Sequence, residues 1–139
     1  LLLCDIDHFK KFNDTFGHHT GDQVLKLAGM ILTQNVKGRD TAARYGGEEF
    51  AIILPNTKIK AAKVLANKVR EAVASKRIRK KSTGEDFGAI TMSIGVAKFR
   101  GGESLSELIQ RSDKGLYQAK DSGRNCVVTE DELKESAES

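Results

Sequence analysis

The sequence predicts an α/β fold of the α+β type, a mixed, largely antiparallel central sheet flanked by helices. Three observations carry this reading. Apolar runs of strand length alternate with amphipathic stretches of helix length over 139 residues, the size of one domain. The pair Gly46-Gly47 separates two strand-like runs, which reads as a hairpin and so as antiparallel pairing. The composition, 39% apolar with 13 glycines, is that of a chain with a packed core. An all-parallel doubly wound sheet is excluded by the hairpin.

The elements follow in order. Leu1 to Asp7 is an apolar run ending in acid, a buried strand whose polar end reaches a surface. A strand at the first residue predicts further sequence before it. His8 to Phe16 carries Phe9, Phe12 and Phe16 on one helical face, with Asp7 placed to cap it and Gly17 to end it. A second helix is predicted from Asp22 to Asn35, its stripe made of Val24, Leu27, Ala28 and Ile31 and widened by Leu25 and Leu32. Thr41 to Tyr45 and Glu48 to Leu54 form the hairpin, the two glycines supplying the positive φ of a tight turn. Residues 57–77 read as a helix with Ile59, Ala62, Leu65, Val69 and Val73 on one side. Ser82 to Asp86 is a polar loop, and Gly88 to Phe99 one strand with Ile90, Met92, Ile94 and Val96 alternating. Ser104 to Glu107 is a capping box for a helix that turns Leu105, Leu108, Ile109, Leu116 and Ala119 inward and stops at Ser122-Gly123. Cys126 to Thr129 is a short last strand. Residues 1–129 thus form one domain, and 130–139 a polar tail, solvated and frayed.

Charge and cysteine narrow the function classes. The net charge of +4 comes from one patch, Lys76, Arg77, Arg79, Lys80 and Lys81, read as a solvated helix end and loop. No aromatic residue interrupts that patch, which argues against a nucleic-acid surface. No stretch approaches the ~20 apolar residues of a membrane span, so no direct membrane contact is expected. Cys4 and Cys126 make no disulfide framework and read as buried thiols of a reducing, cytoplasmic compartment. His8, His18, His19 and Cys4 fit no closed zinc site. Phosphate-cradling and nucleophile-elbow motifs are absent.

Acidic residues are the strongest chemical signal. Asp5 and Asp7 share a face at the end of the first strand, and Glu48 and Glu49 follow the Gly-Gly turn. If the hairpin lies beside the first strand, these carboxylates converge and suit a hard divalent ion such as Mg2+. A wet strand end and a solvated hairpin are the alternative. Lys120 and Arg124 either offset a helix C-terminus or hold phosphate. Asn13 and Asp22 are either turn and cap residues or readers of a guanine edge.

Taken together these residues resemble the GGDEF family of diguanylate cyclases. The signature stands here as Gly46-Gly47-Glu48-Glu49-Phe50, the GGEEF form, after Ala43-Arg44-Tyr45. Upstream are Asp5-Ile6-Asp7-His8-Phe9-Lys10, Asn13-Asp14, Phe16-Gly17-His18 and Gly21-Asp22. Downstream are Asp113 to Lys120 and Gly123-Arg124-Asn125. The resemblance covers residues 1–128 and implies a palm-like nucleotidyl cyclase fold that condenses two GTP into cyclic di-GMP and pyrophosphate. It implies that Asp5 and Glu48, with the Ile6 carbonyl, bind two Mg2+ or Mn2+ ions per site. Glu49 completes the metal site or helps deprotonate the attacking 3′-hydroxyl. Asn13 and Asp22 contact guanine, while Phe9, Lys10, Lys120 and Arg124 belong to the substrate site, the three cations holding phosphates. A homodimer is implied, because one site holds one GTP, and an upstream sensor domain is expected to set its geometry. The same fold without turnover, a GTP-binding or protein-interaction module, is the alternative. The product-inhibition motif is degenerate: Asp40 matches, but Lys37 stands where arginine is expected and lacks its two-donor fork. The family's N-terminal helix is expected before residue 1.

Overall fold

The computed structural model describes residues 1–79 and 83–133. In chain order the elements are β1 (Leu2–Ile6), α1 (Phe9–Phe16), α2 (His18–Asn35), β2 (Thr41–Gly46), β3 (Glu49–Ile53), α3 (Ile59–Ala74), β4 (Arg77–Arg79), β5 (Asp86–Ala89), β6 (Met92–Val96), α4 (Leu105–Asp121), β7 (Val127–Thr129) and a 3-10 turn at Glu130–Glu132. The main sheet runs β2-β3-β1-β6-β7, and β4-β5 is a separate pair. Every neighbouring pair in the main sheet is antiparallel except β6–β7. That one parallel pair needs a crossover, and α4 supplies it. The sheet is therefore mixed and largely antiparallel, as the hairpin requires.

β1 is central and buried along its length, and side-chain alternation divides its two faces. Leu2, Cys4 and Ile6 join the core with Phe50, Ile52, Met92, Ile94 and Val96, beneath α2 and α3. The odd residues face α4. Gly95, which pairs with Leu3, lies hard against that helix. A Cβ at Gly95 would stand 2.1 Å from the Ser112 carbonyl oxygen and 2.2 Å from the Leu116 amide nitrogen. Glycine there lets backbone touch backbone and sets the height of α4 above the sheet. The expected capping box starts α4, Ser104 Oγ accepting from the Glu107 amide at 3.2 Å. Among the described residues no helix is long and apolar enough to cross a membrane.

Several elements differ from their expected form. The second helix starts at His18, four residues before Asp22. Gly17, at φ 91°, ends α1 and begins α2, so polar His18, His19 and Thr20 are helical without apolar periodicity. The hairpin forms, but neither Gly46 nor Gly47 has positive φ; the turn falls at Gly47-Glu48, between the paired Gly46 and Glu49, and the register shifts just before it, between Arg44 and Gly46. The strand expected over residues 88–99 divides into β5, which pairs with β4, and β6, which pairs with β1 and β7. Arg77–Arg79 is a strand rather than a helix end, with Arg77 ion-paired to Asp86 at 3.0 Å. Lys80 and Lys81 of the basic patch lie outside the described residues. Leu105, expected inward, is the first residue of α4 and is 67% exposed.

The start of the tail is anchored rather than frayed. Glu130 accepts from Arg111 at 3.0 Å, Arg100 at 3.0 Å and the Lys98 amide at 2.7 Å. Burial opposes its ionisation, but these donors prevail and hold its carboxyl below the ordinary value. The Arg111 hydrogen bond, at 2.7 Å, draws Glu103 down to about 2. Glu132 pairs with Lys63 of α3.

Gly95→Ala is expected to cost about 3 kcal/mol, read from urea unfolding, because neither contacting backbone can yield. Gly46→Ala is the control. Its Cβ would meet nothing within 4 Å, and the change should stay within about 0.5 kcal/mol.

Candidate active site

The site grows from the end of β1. Asp5 is 4% exposed and faces α4. In the β1–β3 ladder it stands directly opposite Glu49, so the two side chains share that face. The Ile6 amide donates to the Glu48 carbonyl at 3.3 Å, which docks the turn beside β1. Arg44 pins the turn itself, its Nε and Nη2 donating to the Gly47 carbonyl at 3.0 and 2.7 Å. From α4, Lys120 Nζ donates to Asp5 Oδ2 at 2.8 Å. The condition for convergence, a hairpin strand beside the first strand, is therefore met. Asp5 is not at a wet strand end.

Acid crowds this corner. Burial pushes the Asp5 carboxyl above its usual range; Lys120 pulls against that, and Asp7 adds to it. Burial raises Glu48 and Glu49 as well, and the Asp5 charge raises both further. Asp113 of α4 also bears on Glu49. Among the described residues no three acidic, histidine or cysteine side chains form a ready cation cage. Mg2+ characteristically takes one or two carboxylates together with substrate phosphates, and a strand-paired Asp5 and Glu49 is a donor set of that kind. The carboxylates of Asp5, Asp7, Glu48 and Glu49 outnumber the cations Lys120 and Arg124 that act on Asp5, and this excess fits a divalent cation.

Asp7 departs from its expected role as a helix cap. The N-cap of α1 is His8, in the left-handed region at φ 57°, and no side chain caps the helix. Asp7 turns instead into the α4 face and is 6% exposed. Its carboxylate accepts from Thr91 Oγ1 at 2.7 Å, Ser93 Oγ at 2.6 Å and the Asn125 amide at 3.0 Å. The uncapped first turn of α1 leaves the amides of Phe9, Lys10 and Lys11 without intrahelical acceptors, a setting that favours an anion.

The remaining candidates divide. Phe9 is buried in the core, so only its backbone can face a ligand; Lys10 is exposed on the first turn of α1. Arg124 is exposed beyond α4 with φ 65°. Asp22 lines a cavity of about 520 Å3 with His19, Gln23, Leu25, Lys26 and Arg44. Asn13 does not line it but lies against the adjoining residue: a Cβ at Gly21 would be 1.6 Å from Asn13 Oδ1. That oxygen is buried and has no hydrogen-bond partner among the described residues. Phe12 and Phe16 stack at 4.8 Å, and Phe16 meets Phe87 of β5 at 4.5 Å, which fixes α1 against the small sheet. Lys37 and Asp40 share the wall of a separate cavity of about 280 Å3 with Leu65 and Lys68 of α3.

Sequence reasoning assigned no role to Arg44, Asp113, Thr91, Ser93 or Asn125. Arg44 and Asp113 stand inside the motifs, which was their only signal. Thr91 and Ser93 lie in what reads as an ordinary strand and carried none.

Comparisons with known proteins by sequence and by structure give consistent matches. The family model described as "Diguanylate cyclase, GGDEF domain" matches residues 1–126. The response regulator PleD of Caulobacter vibrioides is 45% identical over 128 residues, covering 91% of this chain and 28% of that protein. The diguanylate cyclase VdcA of Vibrio cholerae is 41% identical over 128 residues, covering 92% of this chain and 38% of the relative. The chain thus spans well under half the length of these curated relatives. The crystal structure of the GGDEF domain of DgcB from Caulobacter crescentus, in complex with c-di-GMP, superposes with a TM-score of 0.90 at 42% identity, covering 94% of this chain and 76% of that one.

The crowding predicts a pH signature. A carboxyl whose folded pKa is raised stabilises the fold only while protonated, and that contribution is lost as pH rises through the folded value. In EDTA, Glu49→Gln should therefore melt with wild type below the ordinary value of 4.5 and increasingly above it as pH rises to neutrality. Thermal melts across that range check it. A gap largest in acid would contradict the crowding.

Proposed function

The chain belongs to the GGDEF family, and on that premise we propose that its acidic cleft condenses two GTP molecules into cyclic di-GMP, releasing pyrophosphate at each bond formed. The observation that carries the proposal is the register of Asp5 against Glu49 with Lys120 across it.

In this reading Asp5 and Glu48, with the Ile6 carbonyl, hold two divalent ions, Mg2+ or Mn2+. When bound, the ions lower the pKa of the attacking 3′-hydroxyl and offset charge at the α-phosphate. Glu49 completes that set or accepts the hydroxyl proton. Lys120 donates one N–H to Asp5 and keeps two for phosphate oxygens. Lys10, Arg124 and the open amides at the start of α1, Phe9 included, hold the rest of the triphosphate. Asn13 and Asp22 take guanine, whose N1–H and N2–H donors suit the unpartnered Asn13 oxygen and the Asp22 carboxylate. Most of the catalysis is then positioning and electrostatics.

One cleft holds one triphosphate, but the reaction joins two, so two copies must face each other. The greater length of the relatives supports an upstream sensor domain that sets this geometry. The GTP substrate, the two unpaired thiols and the family support a cytoplasmic domain that acts on nucleotides rather than on nucleic acid or a membrane. Product feedback is weak, because Lys37 offers a point charge where a planar fork would grip guanine.

The full-length protein with GTP and Mg2+ should yield cyclic di-GMP, with specific activity rising with protein concentration. Asp5→Asn should lower turnover at least ~100-fold while leaving the fold intact. GTP binding without product, even under forced dimerisation, would replace this reading with that of an inactive binding module. Asp22→Ala should cut the preference for GTP over ATP by roughly 10-fold or more, measured by competition binding. Unchanged discrimination would place the guanine elsewhere.

A further inference from the structure

We propose that Asp7 is a positioning residue that ties the Arg124–Asn125 turn to the end of β1 and so holds the Arg124 guanidinium at the cleft. This rests on the assignment of Arg124 to the triphosphate. The carboxylate of Asp7 is filled by protein donors from Thr91, Ser93 and Asn125, 84, 86 and 118 residues away in sequence. Its own amide donates to the Thr91 carbonyl at 2.9 Å. Asp7 thus has its acceptors filled by protein donors, whereas Asp5, two residues before it, takes a side-chain hydrogen bond from Lys120 alone among the described residues.

The turn needs such a tie. Arg124 and Asn125 are consecutive non-glycine residues in the left-handed region, at φ 65° and 48°. Such a pair persists only where its surroundings determine it. Three hydrogen bonds do so. The Arg124 amide donates to the Ala119 carbonyl at 3.0 Å, Arg70 of α3 donates to Asn125 Oδ1 at 2.9 Å, and the Asn125 amide donates to Asp7. The first leads to α4 and the second to α3. Only the third leads to β1, the strand that carries Asp5. The Arg124 guanidinium makes no hydrogen bond or ion pair among the described residues, so its backbone decides where it stands. Asp7 therefore references the phosphate-holding cation to the same strand as the acidic ligands.

A double-mutant cycle tests this, read as Kd for a non-hydrolysable GTP analogue with Mg2+, together with hydrogen exchange of the Asn125 amide. Asp7→Ala and Arg124→Ala should each weaken binding about 10-fold, and the double variant no more than about 3-fold beyond Arg124→Ala alone. Asp7→Ala should speed Asn125 exchange at least ~10-fold. Asp7→Asn keeps an oxygen for the Asn125 amide and should bind within about 3-fold of wild type. Multiplying effects, about 100-fold in the double variant, overturn the proposal, as does unchanged Asn125 protection in Asp7→Ala. Wild-type binding by Arg124→Ala with Asn125 protection lost shows instead that the phosphate role of Arg124 has failed, and the proposal falls with it. Should Asp7→Ala not fold, Asp7→Asn decides: affinity within about 3-fold supports positioning, and a loss of 10-fold or more overturns it.

Discussion

Two carboxylates buried at the end of one strand constrain everything around them. Asp5 and Asp7 sit on the α4 face of β1, where neither can be left alone at low dielectric. The fold answers each differently. Asp5 receives a single flexible cation, Lys120, and keeps acceptor capacity. Asp7 receives two hydroxyls and a backbone amide from β6, its approach and the segment before β7, which leaves it satisfied and fixed. One acid stays available for chemistry while its neighbour becomes a structural anchor.

That arrangement depends on how closely α4 approaches the sheet. Gly95 and Gly115 bring the helix backbone onto β6 and β7, and Lys120 reaches Asp5 from the helix's last turn. The far end of α4 is held by its capping box and by Arg111, which links Glu103 and Glu130. A helix fixed at both ends can present a lysine and an aspartate, Lys120 and Asp113, to the same acidic corner. On the other side of the sheet, Gly21 makes room for Asn13, so α1 and α2 pack with a buried amide oxygen open to a partner.

Much of this was legible from residue order. An apolar run marked β1, the Gly-Gly hairpin marked β3, alternation marked β6, the 3.6-residue stripe marked α2 and α3, and Ser104 with Glu107 marked the start of α4. The failures have physical causes. His18 to Thr20 carry no apolar period because the two histidines are exposed and the one buried residue of that turn, Thr20, is polar. Arg77–Arg79 reads as a solvated run because a three-residue strand with one apolar side chain, the buried Ile78, is too short to show alternation. Asp7 stands where a cap belongs, and local reasoning cannot see hydroxyls more than eighty residues away that bind it more fully.

By itself the sequence determined the types of the long helices and of the main-sheet strands, the antiparallel hairpin and the three linked motifs, since local periodicity and turn chemistry act over a few residues. It supplied the acids but not their partners. Only the tertiary structure decided that Asp5 faces Glu49, that Lys120 reaches across from α4, and that Asp7 holds the turn after Gly123. Strand register and the height of a helix above a sheet arise from packing between segments far apart in the chain, and no stretch of residues encodes them alone.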